Sequence, residues 1–304
     1  MKLASIDVGS NASRLLIRSY EDKSPVATTR REHQPTYTDR YWRVPVRIGN
    51  DVYSCGEITP AMSKLLCNTL RDFALLMIKA GVSHYRACAT AAMRDAANAT
   101  AILRQVKEYS GIELKVISGD EEACLTRSSY RPPRGKEKVL TAFVDVGGGS
   151  TEISLSQKGK DLYARSLQMG SMRKYSQQQW QEKFAQLDMI LGQLKTRYGV
   201  PYMVCTGGNI HKISEMLLGV HSGADLTISA LTNLYQRLCP LSPMQIQSQW
   251  NISQDRADII VPALRIYLRI AEGLGVTQLA TPVMSLRYGI LHQLETKYHP
   301  GSCL

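Results

Sequence analysis

The chain has 304 residues, 44% of them apolar, and its 37 lysines and arginines exceed its 26 aspartates and glutamates by a formal net charge of +11. That length allows two ordinary domains with sizeable cores, and no uninterrupted apolar run of about 18 residues is present, which excludes a membrane-spanning helix. The opening MKLASIDVGSNASR meets an aspartate and polar residues where a secretion signal needs an apolar stretch, so a cytoplasmic protein with an anionic partner is expected.

In chain order, MKLASIDVGS and RLLIRSY read as two strands flanking a turn. Thr59-Pro60 opens a helix in which Met62, Leu65, Leu66, Leu70, Phe73 and Met77 recur at helical spacing, with Gly81 in place to cap it. YRACATAA reads as a strand, NATAILRQVKEYSG as a capped helix, and ELKVIS as a strand running into GDEEACLTRSSY. The proline-rich and charged RPPRGKEK is a loop. VLTAFVDVGG, TEISLSQ and DLYARSLQ give three strands, followed by a long helix over SQQQWQEKFAQLDMILGQLKTRYG. YMVC is a strand ending in TGGNIHKISEML, and the remainder is mostly helical apart from VTQLATPV. Such alternation predicts an α/β class.

Seven scattered cysteines (Cys55, Cys67, Cys88, Cys124, Cys205, Cys239, Cys303) form no C-x-x-C pair, which suits a reducing compartment. The six histidines show no ligand spacing. Dispersed basic residues without an aromatic-basic module argue against a nucleic-acid binder.

One internal echo organises the rest. Aligning IDVGSNASRLLI with VDVGGGSTEISL superposes Asp7 on Asp145, Gly9 on Gly147 and Ser13 on Thr151, each copy lying between two strands. Two such copies predict duplicated domains. Gly147, Gly148 and Gly149 let a ligand approach the backbone closely, and their N–H groups with the hydroxyls of Ser150 and Thr151 make a seat for phosphate oxygens. Ser10, Asn11 and Ser13 offer a second seat, and two facing turns would form jaws on one anion. Because carboxylate and phosphate repel, Asp7 and Asp145 are expected to hold a divalent cation or a water. The competing reading is two tight β-hairpins.

The ordered set IDVGSNASRLLI, ATAAMRDAANA, VISGDEEACL, VDVGGGSTE, QMGSMR, CTGG, DRADIIVPAL and LRYGIL resembles the exopolyphosphatase and guanosine pentaphosphate phosphohydrolase family of the actin-like group, nearly end to end. The resemblance implies an α/β fold of two duplicated actin-like (ribonuclease H-like) domains around an interdomain cleft. The division expected is 1–125 and 126–304, with the last helix packing back on the first domain. It also implies a metal-dependent hydrolase that releases terminal orthophosphate from linear polyphosphate, guanosine pentaphosphate or both, using Mg2+ or a similar divalent cation such as Mn2+.

By position, Glu122 matches the family's catalytic carboxylate, which activates the attacking water beside Asp145. Pattern alone would make it a first-turn acid favoured by a helix dipole, as Glu121 remains. Arg94, Ser171 and Gly208 match phosphate-contacting positions, and Arg14 either lies near the cleft or faces solvent. Asn209 stands where the family usually has threonine, Tyr288 where many members have glutamate, and a short form without the extra helical domain of longer members is expected. An actin-like ATPase or sugar kinase, and a non-catalytic sensor of an alarmone or polyphosphate, are the alternatives. A polyanionic phosphate substrate is the expected partner, with no nucleic acid or membrane, and a homodimer stays open.

Overall fold

The computed structural model describes residues 1–20, 37–219 and 225–299; Cys303, His33 and His221 lie outside them. The chain divides into two compact units, one formed by Met1–Ser118 with the stretch from Leu286 onward, the other by Gly119–Ser285.

The first unit runs β1 (Lys2–Val8), β2 (Ser13–Tyr20), β3 (Tyr37–Val44), α1 (Ile48–Cys55), α2 (Pro60–Ala80), β4 (His84–Ala89), α3 (Ala91–Asp95), α4 (Ala99–Ser110) and β5 (Leu114–Val116). Its sheet has the order β3-β2-β1-β4-β5, with β1 antiparallel to β2 and parallel to β4. β1 is buried along nearly its whole length, as a central strand covered on both faces must be. α2 starts where Thr59 accepts a hydrogen bond from the Met62 N–H and ends at Gly81, whose φ of 70° disfavours a side chain. Its apolar stripe buries Leu66, Leu70, Phe73 and Met77.

The second unit runs α5 (Gly119–Ser128), β6 (Thr141–Val146), β7 (Thr151–Gln157), β8 (Lys160–Leu167), α6 (Gln177–Tyr198), β9 (Tyr202–Thr206), α7 (Gly208–Leu218), β10 (Asp225–Thr227), α8 (Ile228–Leu238), α9 (Pro243–Trp250), α10 (Gln254–Leu274) and β11 (Gln278–Ala280). Its sheet order is β10-β11-β9-β6-β7-β8. Read from β8 inward, an antiparallel triple is followed by parallel strands, as in the first unit, so the echo in sequence is a duplication of topology. α10 supplies much of this core, with Ile260, Leu264, Tyr267 and Ile270 fully enclosed.

The final helix, α11 (Leu286–Tyr298), packs on β1, β4 and β2 of the first unit. Glu295 accepts from the Arg18 guanidinium at 2.9 Å and from the Tyr20 hydroxyl, while Arg18 grips Asp39 with two bonds of 2.8 Å. Burial first, and the bond to Glu295 second, push the Tyr20 phenol well above its ordinary range.

Several elements differ from the sequence reading. β3 and α1 carry too weak a periodicity to be read: β3 is an edge strand exposed over its first five residues, and IGNDVYSC is poor in strong helix formers. The strand expected over YRACATAA stops at Ala89, and Ala91 already belongs to α3. The units divide at Ser118/Gly119 rather than at 125, because α5 packs on β7 and β8.

Candidate active site

The glycine turn of the second unit is built from its carbonyls outward. Gly147 N–H closes the hairpin on the Ser150 carbonyl at 2.9 Å. The three following carbonyls are all taken by one segment, residues 170–173. Gly147 accepts from Ser171 N–H (3.0 Å) and its hydroxyl (3.1 Å), Gly148 from Met172 N–H (2.8 Å), and Gly149 from Arg173 Nε (2.5 Å). A trans peptide directs its N–H opposite to its C=O. The N–H groups of Gly148, Gly149 and Ser150 therefore point away from that clamp, which is the geometry of an anion nest. The clamp comes so close that a Cβ on Gly170 would lie 2.3 Å from the Gly148 carbonyl oxygen.

Directly opposite residues in a sheet share a face. The registers thus align Ser166 on β8, Glu152 on β7, Asp145 on β6 and Thr206 on β9 in one polar row. Glu152 is only 4% exposed, and its Oε1 accepts from the hydroxyls of Ser150 (2.6 Å) and Ser166 (2.8 Å). Asp145 abuts the Gly207 backbone so tightly that a Cβ there would lie 2.2 Å from Oδ1. Beside it, burial and then the Asp145 charge push the Tyr267 phenol and the Cys205 thiol well above their ordinary ranges, so both stay neutral. The Tyr267 hydroxyl donates to the Thr206 carbonyl at 3.0 Å and accepts from Val146 N–H at 3.3 Å.

α5 begins against this row: a Cβ on Gly119 would lie 2.3 Å from the Ser166 Cβ. Glu122 stands three residues on, hence on the same helix face as Gly119, together with the buried Ala123 and Thr126. The structure therefore brings Asp145, Gly147, Gly148, Gly149, Ser150 and Ser171 to one end of the second sheet, and packs α5, the helix that carries Glu122, on β7 and β8. Gly208 opens α7 nearby, and its carbonyl accepts from Arg256.

The first unit holds a turn of the same construction. Gly9 N–H bonds the Ala12 carbonyl at 3.1 Å, and the carbonyls of Ser10 and Asn11 accept from Gly49 N–H (2.9 Å) and Arg47 N–H (3.3 Å). Ser10 is held by the Tyr53 hydroxyl at 2.8 Å. Its row across the sheet is different in charge: Arg43, Arg14, Asp7, Cys88 and Lys115. Asp7, expected as a metal ligand, is ion-paired with Arg14 at 2.9 Å. Arg94 donates to the Ile117 carbonyl at 2.8 Å. Among the described residues no three of His, Cys, Asp and Glu gather around a cation position.

Glu152 escaped the sequence reading, because in TEISLSQ it alternates with the core residues Ile153 and Leu155 and so looks outward-facing. A signal was available. Counting outward from the four-residue turn 147–150 puts Glu152 directly across from Asp145.

The sequence profile of the Ppx/GppA phosphatase family matches residues 40–298. The chain belongs to that family. Among curated relatives, Exopolyphosphatase 1 of Mycobacterium tuberculosis is 32% identical over 173 residues, which is 57% of this chain and 47% of that protein. Exopolyphosphatase 1 of Mycobacterium leprae is 30% identical over 173 residues, 57% of this chain and 48% of that protein. The chain thus spans about half the length of the curated relatives it matches. The Ppx/GppA fold is seen in solved structures: the Aquifex aeolicus family member has a TM-score of 0.75 at 23% identity, covering 98% of this chain and 99% of that one. An exopolyphosphatase from Cytophaga hutchinsonii has a TM-score of 0.84 at 19% identity, covering 98% of each. The two α/β units of duplicated topology thus have the fold of solved Ppx/GppA proteins.

Proposed function

We propose that this chain is a phosphoanhydride hydrolase that releases terminal orthophosphate from linear polyphosphate, with guanosine pentaphosphate as a second substrate. The observation that carries this reading is the glycine turn: three successive carbonyls are clamped from behind, so three N–H groups are free to meet phosphate oxygens beside Asp145 and the helix that bears Glu122. The net charge of +11 and the name of the curated relatives favour a polyanion.

In this mechanism the nest binds the terminal phosphoryl group and stabilises charge on its equatorial oxygens. Glu122 accepts a proton from a water, whose oxygen bonds to phosphorus as the bridging P–O bond breaks. Orthophosphate and a chain one unit shorter leave, the shortened end taking up the proton. Asp145 offers an oxygen ligand of the kind Mg2+ or Mn2+ accepts. With Asp7 engaged by Arg14, the donor set suits a cation held jointly with substrate oxygens rather than by a protein cage. When bound, such a cation neutralises phosphate charge.

A cytoplasmic setting is part of the proposal, supported by the six described cysteines, none of which is in a disulfide among the described residues. No described helix is long and apolar enough to cross a membrane. A homodimer is left to measurement by light scattering. The deciding assay is orthophosphate release, with Mg2+, from long polyphosphate, short polyphosphate, guanosine pentaphosphate and ATP side by side. Release from neither polyphosphate nor the pentaphosphate refutes the reading; ATP-dependent transfer to a small hydroxyl compound would replace it with a kinase.

A further inference from the structure

We infer that Asn209 is a positioning residue for the glycine turn, acting in part through Ser171, and that Ser171 is a strut for the turn instead of a ligand to phosphate. The inference deepens the proposed function and rests on its reading of the turn 147–150 as a phosphate seat.

Asn209 is the second residue of α7 and is buried. Its Nδ2 donates to the Val146 carbonyl at 2.8 Å and to the Ser171 hydroxyl oxygen at 3.2 Å. Ser171 in turn donates its hydroxyl to the Gly147 carbonyl at 3.1 Å. A serine hydroxyl has one hydrogen. With that hydrogen on Gly147 and the amide of Asn209 on its oxygen, Ser171 has nothing left to donate to a phosphate.

One amide group therefore fixes two successive peptide planes. The Val146 carbonyl shares a plane with the Gly147 N–H that closes the hairpin, and the Gly147 carbonyl shares a plane with the Gly148 N–H, the first donor of the seat. Hydrogen bonds weaken steeply as a donor swings off axis, and a seat works only when its donors are aimed in advance. Asn209 has two hydrogens for these two acceptors; a threonine there would have one.

The discriminating variant is Asn209→Asp, which keeps size and shape but sets a carboxylate oxygen against the Val146 carbonyl. It is compared with Asn209→Ala, Ser171→Ala and the Asn209→Ala/Ser171→Ala double variant. Three quantities are measured: kcat and KM for orthophosphate release from polyphosphate, melting temperature, and 15N relaxation of the Gly148 and Gly149 amides without substrate. Each alanine variant is expected to lower kcat/KM about tenfold, with Asn209→Asp worse than Asn209→Ala. The double variant should lie within about twofold of the weaker single, because both residues belong to one chain of bonds. The turn amides should become more mobile in every variant.

A wild-type-like Asn209→Asp, or losses that multiply in the double variant, overturns the inference; the second result would make Ser171 an independent phosphate contact. If the wild-type protein hydrolyses none of the substrates, the functional reading fails by itself, and the relaxation data still judge the brace: unchanged Gly148 and Gly149 amides in Asn209→Asp would overturn it. Should Asn209→Asp not fold, Asn209→Thr replaces it, with turn mobility between wild type and Asn209→Ala expected and mobility equal to wild type refuting.

Discussion

Gly170→Ala is the sharpest test of how the phosphate turn is held. The added Cβ would stand 2.3 Å from the Gly148 carbonyl oxygen and 2.5 Å from the carbonyl carbons of Gly148 and Gly149. All three are backbone atoms, so no side-chain rotamer relieves the overlap. Restoring contact to about 3.5 Å requires the clamp and the turn to part by roughly 1 Å. That displacement opens the bonds from Met172 N–H (2.8 Å) and Arg173 Nε (2.5 Å) and lets the seat's donors drift. Overpacking of this kind costs about 1–3 kcal/mol. At about 2–4 °C per kcal/mol for a unit of this size, melting should fall by roughly 2–12 °C. A 1 Å error at a seat for a reacting group is worth about 100-fold in rate. The variant is therefore expected to stay folded at 25 °C while orthophosphate release from polyphosphate drops about 100-fold, measured by phosphate release alongside calorimetry. Release within threefold of wild type would refute the argument that the backbone clamp aims the donors.

Glu122→Gln should lower kcat by about 10²- to 10⁴-fold while polyphosphate still binds by calorimetry; unchanged turnover would remove Glu122 from the mechanism, and turnover absent in the wild type with intact binding would favour a sensor. Glu295→Ala removes the acceptor shared by Arg18 and Tyr20 and should destabilise the first unit by about 3 kcal/mol in urea unfolding, the low end for a broken buried pair because Asp39 still holds Arg18. A loss under 0.5 kcal/mol would show the latch to be idle. In alkali, burial and then the charge of Asp225 raise the Tyr202 phenol to about 12, and burial, Tyr202 and Asp225 raise that of Tyr130 to about 12. Since both folded values lie above the unfolded value near 10, the protonated phenols contribute stability that is complete below about pH 10 and is lost as pH rises towards 12. Phenolate absorbance should show Tyr130 and Tyr202 ionising near pH 12, with Tyr20 and Tyr267 later still, together with a falling melting temperature; in Tyr130→Phe/Tyr202→Phe the step near pH 12 should vanish.

The duplication was legible because its chemistry leaves few substitutes. A strand that must end in an acid and then turn tightly under a ligand writes Asp and Gly at fixed offsets, and Asp7, Gly9, Asp145 and Gly147 all occupy those places. The unequal use of the two copies was not legible. The same register position carries Arg14 beside Asp7 in one unit and Glu152 beside Asp145 in the other, and the rest of each row, basic Arg43 and Lys115 against Ser166 and Thr206, is revealed by strand pairing. The clamp was hidden for a different reason. QMGSMR lies about twenty residues beyond the turn it holds, and its requirement for Gly170 comes from proximity in space, not from any local backbone conformation. Asn209 read as a lost contact in sequence, since its partners are carbonyls that no pattern of side chains reports.

The placement of α11 bears on how the polypeptide matures. The second unit is drawn from one continuous stretch, whereas the sheet formed by β1, β2 and β4 waits for a cover encoded roughly 180 residues after Ser118. At a translation rate of about 5–20 residues per second, the N-terminal strands spend on the order of 10–40 s in the nascent chain without it. During that interval Arg18 and Tyr20 lack Glu295, and the apolar sheet face is available to chaperones. A nascent chain arrested before Leu286 should consequently show a protease-resistant later half attached to a digestible early one.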